Sequence, residues 1–223
     1  MAAKARKHRH LEPRRPGRPR ADEANQRERL LDAAVQCFTT DGIAAASLRS
    51  IAVKAGVTPA LVHYYFGSKQ KLLDAFVAER LMPFVGALGA SLQTVGEDPR
   101  ALVTAFVRGL YAAVEHLPWL PGLWLREVIG EGGALRDVLL KQISPTVPRL
   151  LAERFAALQK EGALNGDLDP RLLVVSLVGL TLFPLAAEPV WRRMFDAGDV
   201  DHAALERHTL ALLDLGLGVT DAR

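Results

Sequence analysis

Two apolar helical patterns separated by only Gly56-Val57-Thr58 restrict the fold of this 223-residue chain more than any other stretch. Leu48, Ile51, Ala52 and Ala55 fall at i, i+3, i+4 and i+7, one face of a helix. Ser47 stands at the N-cap position. Ala52 and Ala55 are small enough for a second helix to cross closely. Gly56 occupies the reversal, where a positive φ is wanted. Thr58-Pro59 predicts a new helix start, with a hydroxyl cap and proline at the first helical position. Val62 with Tyr65 or Phe66 turns back onto the first helix, leaving Thr58, Pro59, Ala60, His63 and Tyr64 outward or along the edge. Ser68 opens a third helix. Lys69 in its first turn is unfavourable for the helix dipole and calls for an anionic neighbour such as a phosphate.

A tight helix pair with an exposed second member, followed by an anion-attracting helix start, has the parts needed to enter a DNA major groove. Core packing is the competing role for Tyr64, Tyr65 and Phe66. His63 has no second His or Cys at metal-ligand spacing, so no metal site is expected.

The segment also has a wider context. Leu30-Leu-Asp-Ala-Ala-Val-Gln-Cys-Phe38, then Asp41-Gly42, the helix pair, Tyr64-Tyr-Phe-Gly-Ser-Lys69 and Leu72-Leu73 follow in a fixed order. In that order, residues 25–75 resemble the N-terminal domain of the TetR family of bacterial transcriptional regulators. The resemblance implies a recognition helix over about Thr58–Tyr65, with Tyr64 and Lys69 clamping phosphates. Family members often carry Tyr and His in the opposite order here, which leaves open which of His63, Tyr64 and Tyr65 reaches a base. The candidate DNA contacts are Arg18, Arg20, Ser47, Arg49, Thr58, Pro59, Ala60, Leu61, His63, Tyr64 and Lys69.

The charge distribution points the same way. Residues 1–20 hold eight Lys or Arg against the single Glu12, while the whole chain has a net charge of +3. These twenty residues contain no apolar run, so neither a signal peptide nor a membrane anchor is expected there. A disordered basic arm (1–22) fits best. Its Gly17-Arg-Pro19 resembles the core of an AT-hook, which lies in a narrow minor groove where the potential attracts Arg. An arm attracted only to phosphate is the alternative. In either case affinity should depend steeply on salt.

Ala and Leu dominate and the strongest patterns have period 3.6, so the fold class is all-α. The expected layout is a helix-turn-helix domain (23–83) and a C-terminal helical ligand-binding and dimerisation domain (84–223). The first helix is expected over about Asp22 to Thr40, with Leu30, Leu31, Ala34 and Phe38 facing the core. Pro83 should kink or end the fourth helix. Gly96-Glu-Asp-Pro99 marks a boundary, and a helix with the stripe Leu102, Phe106, Leu110, Ala113, Leu117 follows. A break over His116–Gly122 precedes a short helix at Leu123–Ile129. Cys37, the only cysteine, excludes an internal disulfide and fits a reducing cytoplasm as a buried, inert thiol.

Leu172–Ala187 is apolar nearly all round, so it must be buried on several sides. At that length, with Pro184 inside, it is short for a membrane span. A two-fold dimer through about 170–187 and 201–215 accounts for it, and agrees with how TetR-like proteins dimerise. Such a dimer presents two recognition helices to an inverted repeat. In the middle helices Phe106, Tyr111, Trp119, Trp124 and Phe183 could line a cavity for a small apolar ligand, with His116, Arg126 or Glu127 as polar anchors.

The functional expectation is therefore a DNA-binding repressor modulated by a ligand. The competing reading is an architectural A·T-rich DNA-binding protein acting through its arm. No nucleophile–base set, metal cluster or phosphate loop is visible, so neither an enzyme nor a cofactor is expected.

Overall fold

The computed structural model describes residues 20–217, and every regular element among them is helical. Residues 1–19 of the basic arm, with Arg18, and the Arg20 side chain lie outside the described part, while the backbone of the arm's last three residues belongs to the first helix. α1 (Arg20–Asp41), α2 (Leu48–Ala55), α3 (Pro59–Phe66) and α4 (Lys69–Phe76) come first. A π-helical segment, Val77–Leu81, leads straight into α5 (Met82–Thr94). Then follow α6 (Pro99–His116), α7 (Leu120–Trp124) with a second π segment at Leu125–Ile129, and α8 (Arg136–Val138) with a third at Leu139–Ile143. α9 (Val147–Lys160), α10 (Pro170–Ala186), α11 (Glu188–Met194) and α12 (His202–Leu217) complete the order.

α1 starts two residues earlier and ends one later than expected. Its Leu30, Leu31, Ala34 and Phe38 are all fully buried. Phe38 meets Phe76 edge-on at 5.6 Å, and Phe76 also touches Trp119 at 5.3 Å. Phe76 therefore joins the core under the helix pair to the core of the C-terminal helices. Sinking a side chain of that size is worth roughly 1.5–3 kcal/mol. Cys37 is also buried, and burial pushes its thiol up, away from the reactive thiolate.

Pro83 does not end a helix. It occupies the first turn of α5, and the Met82 N–H donates to the Val77 carbonyl five residues back. The wider π turn takes up the disruption proline causes, so Lys69–Thr94 runs as one helix and the expected division at 83/84 falls inside it. By length and composition this helix could also cross a membrane. Here, however, Leu72, Leu73, Phe76, Leu81, Val85, Leu88 and Leu92 are buried in the core, while Glu79 and Arg80 are tied to α1. The break after α6 is also shorter than expected. α7 already begins at Leu120 with Pro121 in its first turn, a position where a missing N–H costs nothing.

α10 shows two faces although its sequence shows none. Leu173, Val174, Leu177, Thr181, Leu182 and Leu185 are buried. Leu172, Val175 and Phe183 are 64%, 65% and 57% exposed, so within one chain only one side of this apolar helix is covered. Trp191 donates from its indole N–H to the Pro184 carbonyl at 2.7 Å, fastening the sharp bend into α11.

Candidate nucleic-acid interface and ligand cavity

α2 is closed at both ends by local chemistry. The Ser47 Oγ accepts from the Ser50 N–H at 3.0 Å, and the Ser50 Oγ accepts from the Ser47 N–H at 2.9 Å. This reciprocal cap satisfies two otherwise orphaned groups. At the other end Gly56 takes φ 68°, and the Val57 N–H reaches the Ala52 carbonyl at 2.9 Å. That left-handed closure aims the chain back across α2. Ile51, Ala52, Val62 and Phe66 are buried at the crossing.

α3 begins differently. Thr58 is its N-cap and Pro59 its first residue, but the Thr58 hydroxyl makes no capping bond, contrary to expectation. Proline at the first position favours the helix start by its fixed φ, without the hydroxyl's help. Thr58, Pro59, Ala60 and His63 are exposed, Leu61 is half-buried and Tyr64 is 75% exposed. The Tyr64 and Tyr65 rings stack edge-on at 5.3 Å, so the less exposed Tyr65 braces Tyr64. Phe66 belongs to the core, and the Arg27 guanidinium lies over its ring at 5.1 Å.

Arg49 is exposed on α2, while the Ser47 hydroxyl is occupied by the cap. Lys69 has a partner within the chain. Its Nζ donates to the Ala44 carbonyl at 2.7 Å, so the cation in the first turn of α4 is satisfied without an anion. The outward groups of α3, Arg49 and the N-terminus of α4 nonetheless remain on one connected stretch of chain.

α1 is fastened to the helix that follows the pair. Arg27 forks onto Glu79, with Nη2–Oε1 at 2.6 Å, and Arg80 reaches Glu28 at 2.6 Å and Asp32 at 2.9 Å. The Arg27 hydrogen bond holds the Glu79 carboxyl below its ordinary value.

The expected ligand residues separate. Phe106 and Trp124 line a partly open apolar cavity of about 130 Å³ with Leu81, Phe84, Leu110 and Leu182. The Trp124 indole carries the only polar side-chain atom in its lining. His116 instead borders a more open groove of about 440 Å³ beside Arg80, and Phe84 and Leu88 stand between the two spaces. Tyr111 is buried with its hydroxyl 3.3 Å from that of Thr209. Trp119 packs on Phe76, and Phe183 faces outward from α10.

Glu127 and Arg126 do not point into the cavity at all. The Glu127 Oε1 accepts from the Ile43 N–H at 2.8 Å and Oε2 from the Ala134 N–H at 3.1 Å. Arg126 Nη1 donates to the carbonyls of Thr39 and Thr40, both at 3.1 Å. Bonds spanning more than eighty residues leave no periodicity or spacing in the sequence, so nothing there distinguishes a tether from a ligand anchor.

The family model of bacterial regulatory proteins, tetR family, matches residues 30–76, which span most of α1 through α4. Residues 30–76 therefore form a TetR-type N-terminal domain. The regulator BetI of Rhizobium meliloti is 35% identical over 103 residues, covering 46% of this chain and 50% of that protein. The nicotine-responsive repressor HdnoR of Paenarthrobacter nicotinovorans is 36% identical over 83 residues, 37% of this chain and 42% of that one. The chain thus spans about half the length of these curated relatives. Beyond the TetR-type domain the likeness is one of fold. The regulator FadR of Bacillus subtilis, solved with stearoyl-CoA, superposes with a TM-score of 0.65 at 19% identity, covering 86% of this chain and 99% of that one.

Proposed function

We propose that this chain is a cytoplasmic transcriptional repressor that binds an inverted-repeat operator in double-stranded DNA as a homodimer. The observation that carries the reading is the exposed row Thr58, Pro59, Ala60, His63 and Tyr64 on a helix whose opposite side is locked into the core. α3 reads bases from this row, each good contact contributing about 1–3 kcal/mol of discrimination. Arg49, Tyr64 and the N-terminus of α4 hold phosphates. Lys69 would have to release Ala44 to join them, so its share is smaller than that of Tyr64. Arg18 and Arg20 extend the interface along the flanking DNA. The relatives named above are transcriptional regulators, and no catalytic step or cofactor enters this reading.

Two chains associate through the uncovered side of α10, where Leu172, Val175 and Phe183 are exposed, together with α12, where Leu212 is 47% exposed. The domain division follows use rather than a linker: residues up to about 83 touch DNA, and the remainder holds the cavity and the dimer surface. The cavity takes an apolar ligand, since an ion entering it would lose its hydration with almost nothing to replace it. The ligand acts by preferring one arrangement of the two recognition helices over another.

Selection from a random duplex library at about 0.15 M salt tests the reading. Enrichment of one inverted repeat, lost in His63→Ala or Tyr64→Ala, is expected. A merely A·T-rich pool without dyad symmetry would transfer binding to the basic arm and replace the regulator with an architectural protein.

A further inference from the structure

Two of the three π segments grip α1, one of them lining the cavity and the other directly following a residue that does. Leu81, the last residue of the first, lines the cavity, and the same segment carries the Glu79 and Arg80 that hold Arg27, Glu28 and Asp32. Trp124, immediately before the second, lines the cavity too. That second segment carries Arg126 and Glu127, which hold the far end of α1 and the turn after it. The third segment, Leu139–Ile143, also touches the cavity, but its Lys141 pairs with Asp137 of the preceding helical turn and not with α1. π turns are uncommon and concentrate at functional places in helices.

We propose that α1 carries the state of the cavity to the recognition helix, with Arg126 and Glu127 as the positioning residues at the critical end. This rests on the regulator reading above. Glu127 is 5% exposed, and both of its oxygens are held by backbone N–H groups from separate parts of the chain. If an occupant displaces Trp124, the segment behind it moves. Ile43 must then follow, or the buried carboxylate loses a donor that water cannot replace. Ile43 is itself buried and lies four residues before the Ser47 cap of α2, on which α3 packs. A shift there turns the recognition helix. The packing around the clasp is close: a Cβ on Gly42 would lie 3.3 Å from the Glu127 carboxylate and 3.4 Å from the Arg126 side chain.

The test uses the full chain, benzene as a probe of suitable size for an apolar cavity of this volume, and Val178→Phe as a covalent filling of the same space. Both should weaken binding to the selected inverted repeat by tenfold or more and speed hydrogen exchange of the Ile43 amide. In a Glu127→Gln background each effect should shrink to less than twofold, whereas Lys141→Ala should leave both intact. Arg126→Ala gives a milder loosening if Glu127→Gln folds poorly, and should at least halve the response. Equal weakening in the wild-type and Glu127→Gln backgrounds would overturn the proposal, as would unchanged Ile43 exchange on filling the cavity. Should the wild type select no duplex, the regulator reading fails, while the Ile43 exchange measurement still decides whether cavity and α1 are coupled.

Discussion

The α2–α3 pair and the cavity region are built by different means. In the pair, nearly every boundary is set by a residue acting within four or five positions: Ser47 with Ser50, Gly56 with Ala52 and Val53, Pro59 at the start of α3. Around the cavity the helices are interrupted by π turns, and the polar groups are held by partners fifty to ninety residues away. The pair is therefore preformed. The cavity region is a set of helices whose positions depend on one another, and such an arrangement can respond to an occupant.

Phe76 belongs to both regions, so Phe76→Ala should give the largest effect. A loss of about 3–5 kcal/mol is expected from chemical denaturation. If unfolding then separates into two transitions, the regions are distinct folding units; a single transition shifted downward would mean they share one. Gly133→Ala strikes the Glu127 clasp instead. Its Cβ would lie 2.2 Å from the Glu127 carbonyl, a backbone atom, so about 2 kcal/mol or more should be lost, on the scale of overpacking.

Gly56→Ala strikes the helix pair alone. A Cβ there meets nothing within 4 Å, so the cost is the left-handed backbone, about 1–2 kcal/mol. Ser47→Ala should cost about 1 kcal/mol through the lost cap. Thr58→Ala should change stability by less than about 0.5 kcal/mol, because its hydroxyl caps nothing. Yet it should alter the enriched duplex. Equal costs for Ser47→Ala and Thr58→Ala would show that the two helix starts are not different after all.

The smallest effect expected is on pH. The folded carboxyl of Glu79 titrates below its ordinary 4.5, so the Arg27 pair contributes fully above that pH. The contribution fades as pH falls below 4.5. Both side chains are about one-third exposed, so the loss should be under about 1 kcal/mol. Glu79→Gln should flatten that part of the acid limb in a urea titration.

The helix pair was legible because its signals are local: a stripe, a cap, a glycine at the reversal and a proline at a helix start. The all-helical class followed from period and composition for the same reason. Trp119, Trp124, Tyr111 and Phe183 look alike in sequence, and only their neighbours separate a core contact with Phe76, a cavity wall, a partner of Thr209 and an outward face. Lys69 shows the limit even within the readable segment. Its place at a helix start was evident, but its bond to Ala44 depends on how the turn after α1 folds back.

Pro83 is the sharpest case. Sequence alone says that proline disturbs a helix, and the disturbance is there. Whether it ends the helix is decided by the packing of Phe76, Leu81 and Val85 against the core on either side, which keeps the axis running through a π turn. The same division holds for Glu127. Its carboxylate was visible in the sequence, but its function as a clasp on Ile43 exists only once α7 and the second π segment are packed against the end of α1. Local backbone preferences act over a few residues and are encoded where they act. A buried hydrogen bond across eighty-four residues is decided by the tertiary fold, because its donor and its acceptor meet nowhere else.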